Sequence, residues 1–376
     1  MSMRHTFSTT VIAISAALGC LPESLLAETD VPVRSPASSN EVVELRRDLP
    51  KERNERLLWG DVYFFREWHI QEHAERHEFR LLDPHDKPLT SGSFEACRLR
   101  LTEIRHEKKL APMQGEAVIL VHGLVRSYSR MLAAREALKK AGYENVFIFD
   151  YASTNIDIPT AAESLQKAVR SLEGIDKIHF VAHSMGGIVV RQWMAKHSDC
   201  RLGRLVMLGT PNQGAELSDR FRKYSAFSVV FGPAALQLAT PTTSPAAVKQ
   251  TAGSNPVVAT PATVSFLAEL PAPTCEFAII TGSGGGQGYN PLIPGDDDGI
   301  VSVTSTRLPG ACDTMTFRCA HARLTRDPAV LECVVRFLKE GRLRKEGPLS
   351  PIPTTPANAE QPTLSPAGGT QTGPRN

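Results

Sequence analysis

The sequence lacks a strong charge of either sign. Its 42 basic and 40 acidic residues leave a formal net charge of +2, so no field points to nucleic acid as a partner. The charges of residues 51–56 alternate in sign and read as a solvated helix face. The chain also lacks a membrane-length run near its start. The apolar stretch Val11–Leu18 is too short to span a bilayer as a stable anchor. None of the seven cysteines has C-x-x-C spacing, which argues against a zinc site or a redox motif. There are no internal repeats, so a repeat architecture is excluded. What is present is an ordinary globular composition, 41% hydrophobic and 22% charged, in a chain long enough for one large domain or two modest ones.

Residues 1–27 read as a signal-like segment. Arg4 and His5 give a weakly basic start ahead of Val11–Leu18. Two exits are open. Ser24-Leu25-Leu26-Ala27 is similar to a signal-peptidase site, and Ala17-Leu18-Gly19-Cys20 is similar to a lipobox that would leave Cys20 lipidated. Either predicts export, to the periplasm or outside the cell, with a membrane-anchored lipoprotein as the Cys20 variant. Removing or lipidating Cys20 leaves Cys97, Cys200, Cys275, Cys312, Cys319 and Cys333. An exported protein with an even number of cysteines permits disulfides, and some pairing is expected.

Residues 28–40 are rich in Pro, Ser and Ala and read as a linker. Residues 41–114 form an N-terminal extension of unknown role, with Val62–Trp68 compatible with a strand or a helix. His69, His73 and His77 would share one helix face, but a polar face or an irregular segment is the better account than a metal site. From residue 115 strands and helices alternate. Ala117–Val121, Val146–Asp150, Ile178–Ala182, Leu205–Leu208, Phe277–Ile280 and Thr316–Cys319 read as strands. Ser129–Ala141, Thr160–Leu172, the stretch from Ser184 to Ala195, and Pro328–Lys339 read as helices. Such β-α-β units imply a parallel sheet covered by helices. Residues 213–270 interrupt the rhythm as a cap- or lid-like insertion, with Thr240–Thr263 dense in Pro, Thr, Ala and Ser. The tail 347–376 reads as disordered.

Ala182-His183-Ser184-Met185-Gly186-Gly187 sits where an apolar strand turns directly into a helix. A serine on such a turn needs a strained backbone and small neighbours two residues away on each side. Upstream, Val121-His122-Gly123-Leu124 closes a strand with a glycine that lets the chain turn. Downstream come Asp296-Asp297-Asp298-Gly299-Ile300-Val301 and then His321, before the last helix. This ordered set resembles the α/β-hydrolase superfamily, and within it the bacterial lipases and esterases, over roughly residues 115–340. Ala182 departs from the usual glycine.

The resemblance implies an α/β-hydrolase fold, with a mostly parallel central sheet flanked by helices. It implies a Ser184–Asp298–His321 triad, Asp297 being the fallback acid, and an oxyanion hole made by the amides of Leu124 and Met185. Asp296 and the unused acid are expected to face water or to serve as calcium ligands. His122 is expected to be a structural neighbour of the hole. The Gly-rich stretch 281–288 fits neither a dinucleotide site nor a P-loop and reads as a flexible loop at the site's edge. The implied activity is hydrolysis of carboxylic esters by a lipase or carboxylesterase through an acyl-enzyme, with no cofactor and no resident metal. The partner would be a small-molecule or lipid ester, with membrane or lipid-surface association compatible and the oligomeric state open. An acyltransferase or thioesterase using the same triad is the alternative, and a non-catalytic surface-anchored binding protein on a hydrolase scaffold is the alternative of another class.

Overall fold

The computed structural model describes residues 55, 57–124, 128–215, 218, 232–238 and 266–354. The signal-like segment, the linker 28–40, Thr240–Thr263 and the tail from 355 lie outside the described residues. Among the described residues no helix is long and apolar enough to cross a membrane.

The first described strands form an antiparallel sheet of β1 (Trp59–Phe65), β2 (Trp68–His73), β3 (Phe79–Leu82) and β4 (Pro88–Gly92), paired in that order. The open segment Val62–Trp68 is therefore a strand that ends at Phe65, turns at Arg66 with φ 52°, and re-enters at Trp68. His69 and His73 lie on β2 and His77 in the turn after it, so the shared helix face does not exist. α1 (Phe94–Glu107) comes next, with the Ser93 side chain accepting from the Ala96 amide as its N-cap.

The central sheet has six parallel strands. These are β5 (Gly115–Val121), β6 (Asn145–Phe149), β7 (Ile175–His183), β8 (Leu202–Leu208), β9 (Phe277–Gly282) and β10 (Asp313–Phe317), in the order β6-β5-β7-β8-β9-β10. Its strands read as apolar runs because both faces are covered. Alternate residues enter two separate cores. Ala117, Ile119 and Val121 pack on one side with Phe180, Met207 and Ile279, and Val118 and Leu120 on the other with Val181, Leu208 and Ile280. The first core takes α3 (Ile158–Arg170) and α4 (Met185–Lys196). The second takes α2 (Leu132–Lys140) and α5 (Pro328–Glu340).

Several element ends differ from the sequence pattern for local reasons. α2 starts at Leu132 because the 3-10 turn Tyr128–Arg130 absorbs Ser129, and Met131, without a side-chain cap bond, is the N-cap. α3 starts before Thr160 because Asp157 accepts from the Thr160 amide at 2.9 Å and Pro159 suits the first turn. β10 is Asp313–Phe317 and not Thr316–Cys319, since it pairs with β9 from Asp313↔Ala278 to Phe317↔Gly282 and β9 ends there.

The described part of the extension, from residue 57 to 114, is not detached from the parallel sheet. Val62, Tyr63, Phe64 and Phe65 share a core with Phe147, Phe149 and the buried face of α3. Phe64 stacks on Phe147 at 4.9 Å, and its amide donates to Ser171 Oγ at 2.8 Å. The change of rhythm at residue 115 is thus a change of sheet, not of hydrophobic core.

Two expectations are corrected. The cysteines at 97, 200, 275, 312, 319 and 333 are all free. Cys97 is buried in one core and Cys319 and Cys333 in the other, on opposite sides of the sheet. The tail is not disordered from residue 347. Buried Asp313 binds Arg344 Nη1 at 2.6 Å and accepts from the Leu343 amide at 2.9 Å and the Ser350 amide at 2.8 Å. Ile352 then exchanges backbone bonds with Gly310 and Ala311, so residues 347–354 run along the β10 side of the fold.

Candidate active site

Ser184 stands between β7 and α4 with φ 55° and ψ −130°. A non-glycine residue at positive φ is strained, and such strain is retained where the surroundings fix it. Here the Ser184 amide donates to the Leu208 carbonyl of the neighbouring strand at 2.8 Å. A Cβ on Gly186 would meet the Val121 carbonyl oxygen at 2.5 Å and that of His122 at 2.6 Å, and one on Gly187 would meet Thr210 Oγ1 at 2.2 Å. Gly186 lets the first turn of α4 sit directly beneath the end of β5, and Gly187 lets it sit against Thr210, just after β8. That brings the two motifs together: a Cβ on Gly123 would lie 2.7 Å from Ser184 Cβ and 3.2 Å from its Oγ.

Met185 directly follows the serine in the chain, and Leu124 directly follows Gly123, whose turn closes on the serine. Met185 is the first residue of α4, where amides have no intrahelical acceptor, and the helix end there favours negative charge. Leu124 follows Gly123 in the turn after β5.

Asp298 and His321 meet at this same edge. Asp298 Oδ2 accepts from His321 Nδ1 at 2.7 Å, and the His321 amide donates to the Asp298 carbonyl at 2.8 Å. Asp298 Oδ1 accepts from the amides of Ile300 and Val301 at 3.1 and 2.8 Å. The carboxylate is thus held from both sides, and the Nδ1 proton of the imidazole is fixed. A Cβ on Gly209, just after Leu208, would touch the His321 ring at 3.0 Å, so the imidazole lies against the strand end to which Ser184 is bonded. His183 completes its floor. Its ring lies 4.6 Å from that of His321, and its Nε2 donates to the His321 carbonyl at 3.2 Å. Burial, and next the neighbouring His321, push His183 well below the usual histidine range, so it is neutral.

A parallel sheet, a strained serine at a strand-to-helix turn, an aspartate after a later strand and a histidine after the last strand decide the architecture. The chain has the α/β-hydrolase fold.

A domain family described as a domain of unknown function (DUF7379) matches residues 91–255. A comparison with curated protein sequences finds no match. Among solved structures, the chain is similar to the mature form of the Bacillus licheniformis lipase BlEst2, at 20% identity over 58% of this chain and 89% of that one, with a TM-score of 0.42. It is similar to the metagenomic carboxyl esterase MGS0156, at 17% identity over 61% and 77%, with a TM-score of 0.39. It is also similar to a thermophilic esterase from Thermogutta terrifontis, at 16% identity over 61% and 92%, with a TM-score of 0.39. The α/β-hydrolase assignment stands on this chain's own strand order and connections.

The acid turn departs from the sequence picture in one respect. Neither neighbour of Asp298 simply faces water. Asp297 is fully buried, and its Oδ1 accepts from the amides of Tyr289, Asn290 and Gly299 at 3.2, 3.1 and 2.6 Å. Asp296 accepts from Ser283 Oγ at 2.6 Å and from the Gly284 and Gly285 amides at 3.1 Å. These bonds fasten the Gly-rich stretch, so it is a pinned scaffold and not a free loop. A Cβ on Gly288 would fall 1.8 Å from Asp297 Oδ2. Serine and glycine at those positions were the available signal, but their partners lie 8 to 13 residues away.

Arg191 was not visible as a site residue either. It lies buried on α4, the helix that follows Ser184. It donates to Asn212 Oδ1 at 3.2 Å, to the Pro271 carbonyl at 3.1 Å, and to the Leu270 carbonyl. It therefore ties together the two ends of the 213–270 insertion, and burial draws its guanidinium down to about 10. A depression of about 1120 Å³ lies elsewhere, at the opposite strand ends, lined by Glu116, Tyr143, His179 and Arg204 among others. Its charges are mixed, and none of the residues at the serine edge reaches it.

Proposed function

We propose that the protein is a serine hydrolase that cleaves carboxylic esters, of lipase or carboxylesterase type. The observation that carries this is the strained Ser184 turn beside a His321 whose Nδ1 is held by buried Asp298 at 2.7 Å. Fold alone supports many chemistries, so the reaction is read from these side chains.

His321 Nε2 takes the Ser184 hydroxyl proton as Oγ attacks the ester carbonyl. The carbonyl oxygen becomes an oxyanion facing the amides of Leu124 and Met185. Each such amide lowers the barrier by roughly 3 kcal/mol. Collapse breaks the C–O bond to the alcohol, which leaves with the proton returned by His321. Water then attacks the Ser184 ester with His321 again as base, releasing the acid and regenerating the hydroxyl. Asp298 holds the imidazole's tautomer and orientation. Export, with lipidation at Cys20 as its anchored variant, belongs to the same proposal, as does work at a lipid surface.

The test is hydrolysis of a p-nitrophenyl ester series from acetate to palmitate by the wild type and Ser184→Ala. Wild-type turnover with loss of at least about 10⁴-fold in the variant supports the proposal. A folded variant that keeps its turnover assigns the nucleophile elsewhere.

A further inference from the structure

We propose that the N-terminal antiparallel sheet acts on the active site. In this proposal, a hydrogen-bonded chain from His69 through Asp61, Asp150 and His122 positions the peptide that carries the Leu124 oxyanion amide. The proposal rests on the serine-hydrolase reading and names residues that act on that site from outside it.

The chain begins on β2. His69 Nδ1 donates to Asp61 Oδ1 at 2.6 Å, and its Nε2 faces Asp86 Oδ1 at 3.2 Å. The other oxygen of Asp61, Oδ2, accepts from the Asp150 amide at 2.7 Å, while the Asp61 amide donates to the Asp150 carbonyl at 2.8 Å. Two sheets that share no strand are thus joined at Asp150, the residue after β6. Its carboxylate makes the next link: Oδ1 lies 2.9 Å from His122 Nε2.

His122 ends the chain at the oxyanion turn. Its Nδ1 donates to the Gly123 carbonyl at 2.7 Å, since a carbonyl can only accept. The imidazole is buried, stacks on Tyr151 at 4.4 Å, and its own carbonyl accepts from the Tyr151 hydroxyl at 2.9 Å. Burial pushes that phenol above its usual range, so it stays a donor. Gly123 C=O and Leu124 N–H belong to one peptide unit. The unit is planar and trans, so its C=O and N–H point in opposite directions. Holding the Gly123 oxygen on one side therefore aims the Leu124 amide to the other. Gly123 has no side chain to resist rotation of that plane and touches Ser184, so without the anchor the plane has the freedom to turn.

His122, Asp150, Asp61 and His69 are positioning residues: none touches the reacting atoms, and their effect belongs to the transition state. The test uses the full chain and compares an oxo ester with the matched thionoester, whose sulfur is poorly held by amides aimed at oxygen. The variants are His122→Phe and Asp150→Asn, the latter near-isosteric at a partly exposed site. The expected result is a loss of about 10- to 100-fold in kcat on the oxo ester, smaller than the roughly 10²- to 10³-fold loss of removing an oxyanion donor outright, because the amide stays and only its aim is loosened. KM should stay within about threefold, and the oxo/thiono kcat ratio should shrink by about tenfold. His69→Gln should show the same pattern, a few-fold in size. If His122→Phe does not fold, Asp150→Asn decides. A folded Asp150→Asn protein with an unchanged ratio overturns the proposal, whether its kcat is intact or both esters slow equally. A wild type that neither hydrolyses esters nor reacts with a fluorophosphonate at Ser184 defeats the underlying hydrolase reading and the proposal with it. An active wild type whose folded Asp150→Asn variant keeps the wild-type ratio defeats the proposal alone.

Discussion

Two histidine–aspartate pairs among the described residues have both partners buried and nearly the same length, His321–Asp298 at 2.7 Å and His69–Asp61 at 2.6 Å. They do different things. His69 has a carboxylate at each ring nitrogen, Asp61 and Asp86. Burial works against its charge, but the Asp61 carboxylate prevails and lifts it to about 9, so it is a fixed cation at neutral pH. Among the described residues His321 has a carboxylate at Nδ1 only, and it stands at the edge where the strained turn leaves Ser184 half-buried. A histidine held at both nitrogens is a clasp. One held at a single nitrogen keeps the other for a proton in transit. Geometry of the pair alone does not distinguish them; what the second nitrogen faces does.

The comparison breaks most sharply at the two aspartates. Asp298→Asn is expected to lower kcat by up to about 10⁴-fold with KM little changed, because an amide at that site no longer fixes the imidazole's tautomer. Steady-state kinetics on one soluble ester checks this, and an Asp298→Asn protein within tenfold of wild type would place the acid elsewhere. His69→Gln should do the reverse, costing about 3 kcal/mol of stability by leaving Asp61 without its partner and only a few-fold in kcat. Denaturant melts and kinetics on the same sample separate the two effects.

The clasp also has a pH signature. Its histidine has a folded value near 9, above the unfolded value of about 6.5. Its contribution is therefore complete below about pH 6.5 and fades as pH rises through 9, by at most about 3 kcal/mol. Wild-type stability should fall across that window, and His69→Gln should flatten the fall. An equal slope in both proteins would assign the loss to other groups.

Smaller effects are expected at the acid's neighbours. Asp297→Asn should destabilise by about 2 kcal/mol, because a buried acceptor of three amides is weakened. Asp296→Asn, nearer the surface, should cost about 1 kcal/mol or less and leave kcat near normal. Thermal melts of the two variants rank them, and the opposite order would contradict the assigned roles.

Much of this is legible in the order of residues alone. The parallel sheet follows from apolar runs such as Ala117–Val121, whose alternate residues enter two cores. The turn at Ser184 follows from a strand meeting a helix with glycines at 186 and 187, both of which prove to be contacts no Cβ fits. The rest depends on partners far apart in sequence. Asp61 and Asp150 are 89 residues apart, and nothing local marks either. Three adjacent aspartates look alike in a string, yet the turn aims one at His321, one at buried amides and one at Ser283. His69 and His73 mimic a helical spacing because a strand also returns residues i and i+4 to the same face. The insertion's ends are fixed by Arg191, a basic residue in a helix that would ordinarily be read as surface.

The central claim is that Ser184 is the nucleophile and His321 its base. Its most direct measurement is reaction of the purified full chain with a fluorophosphonate, followed by peptide mass mapping. The predicted result is one stoichiometric adduct on Ser184, absent in Ser184→Ala and formed at least about 100-fold more slowly in His321→Ala. An adduct on another residue, or one formed at the wild-type rate without His321, would contradict it.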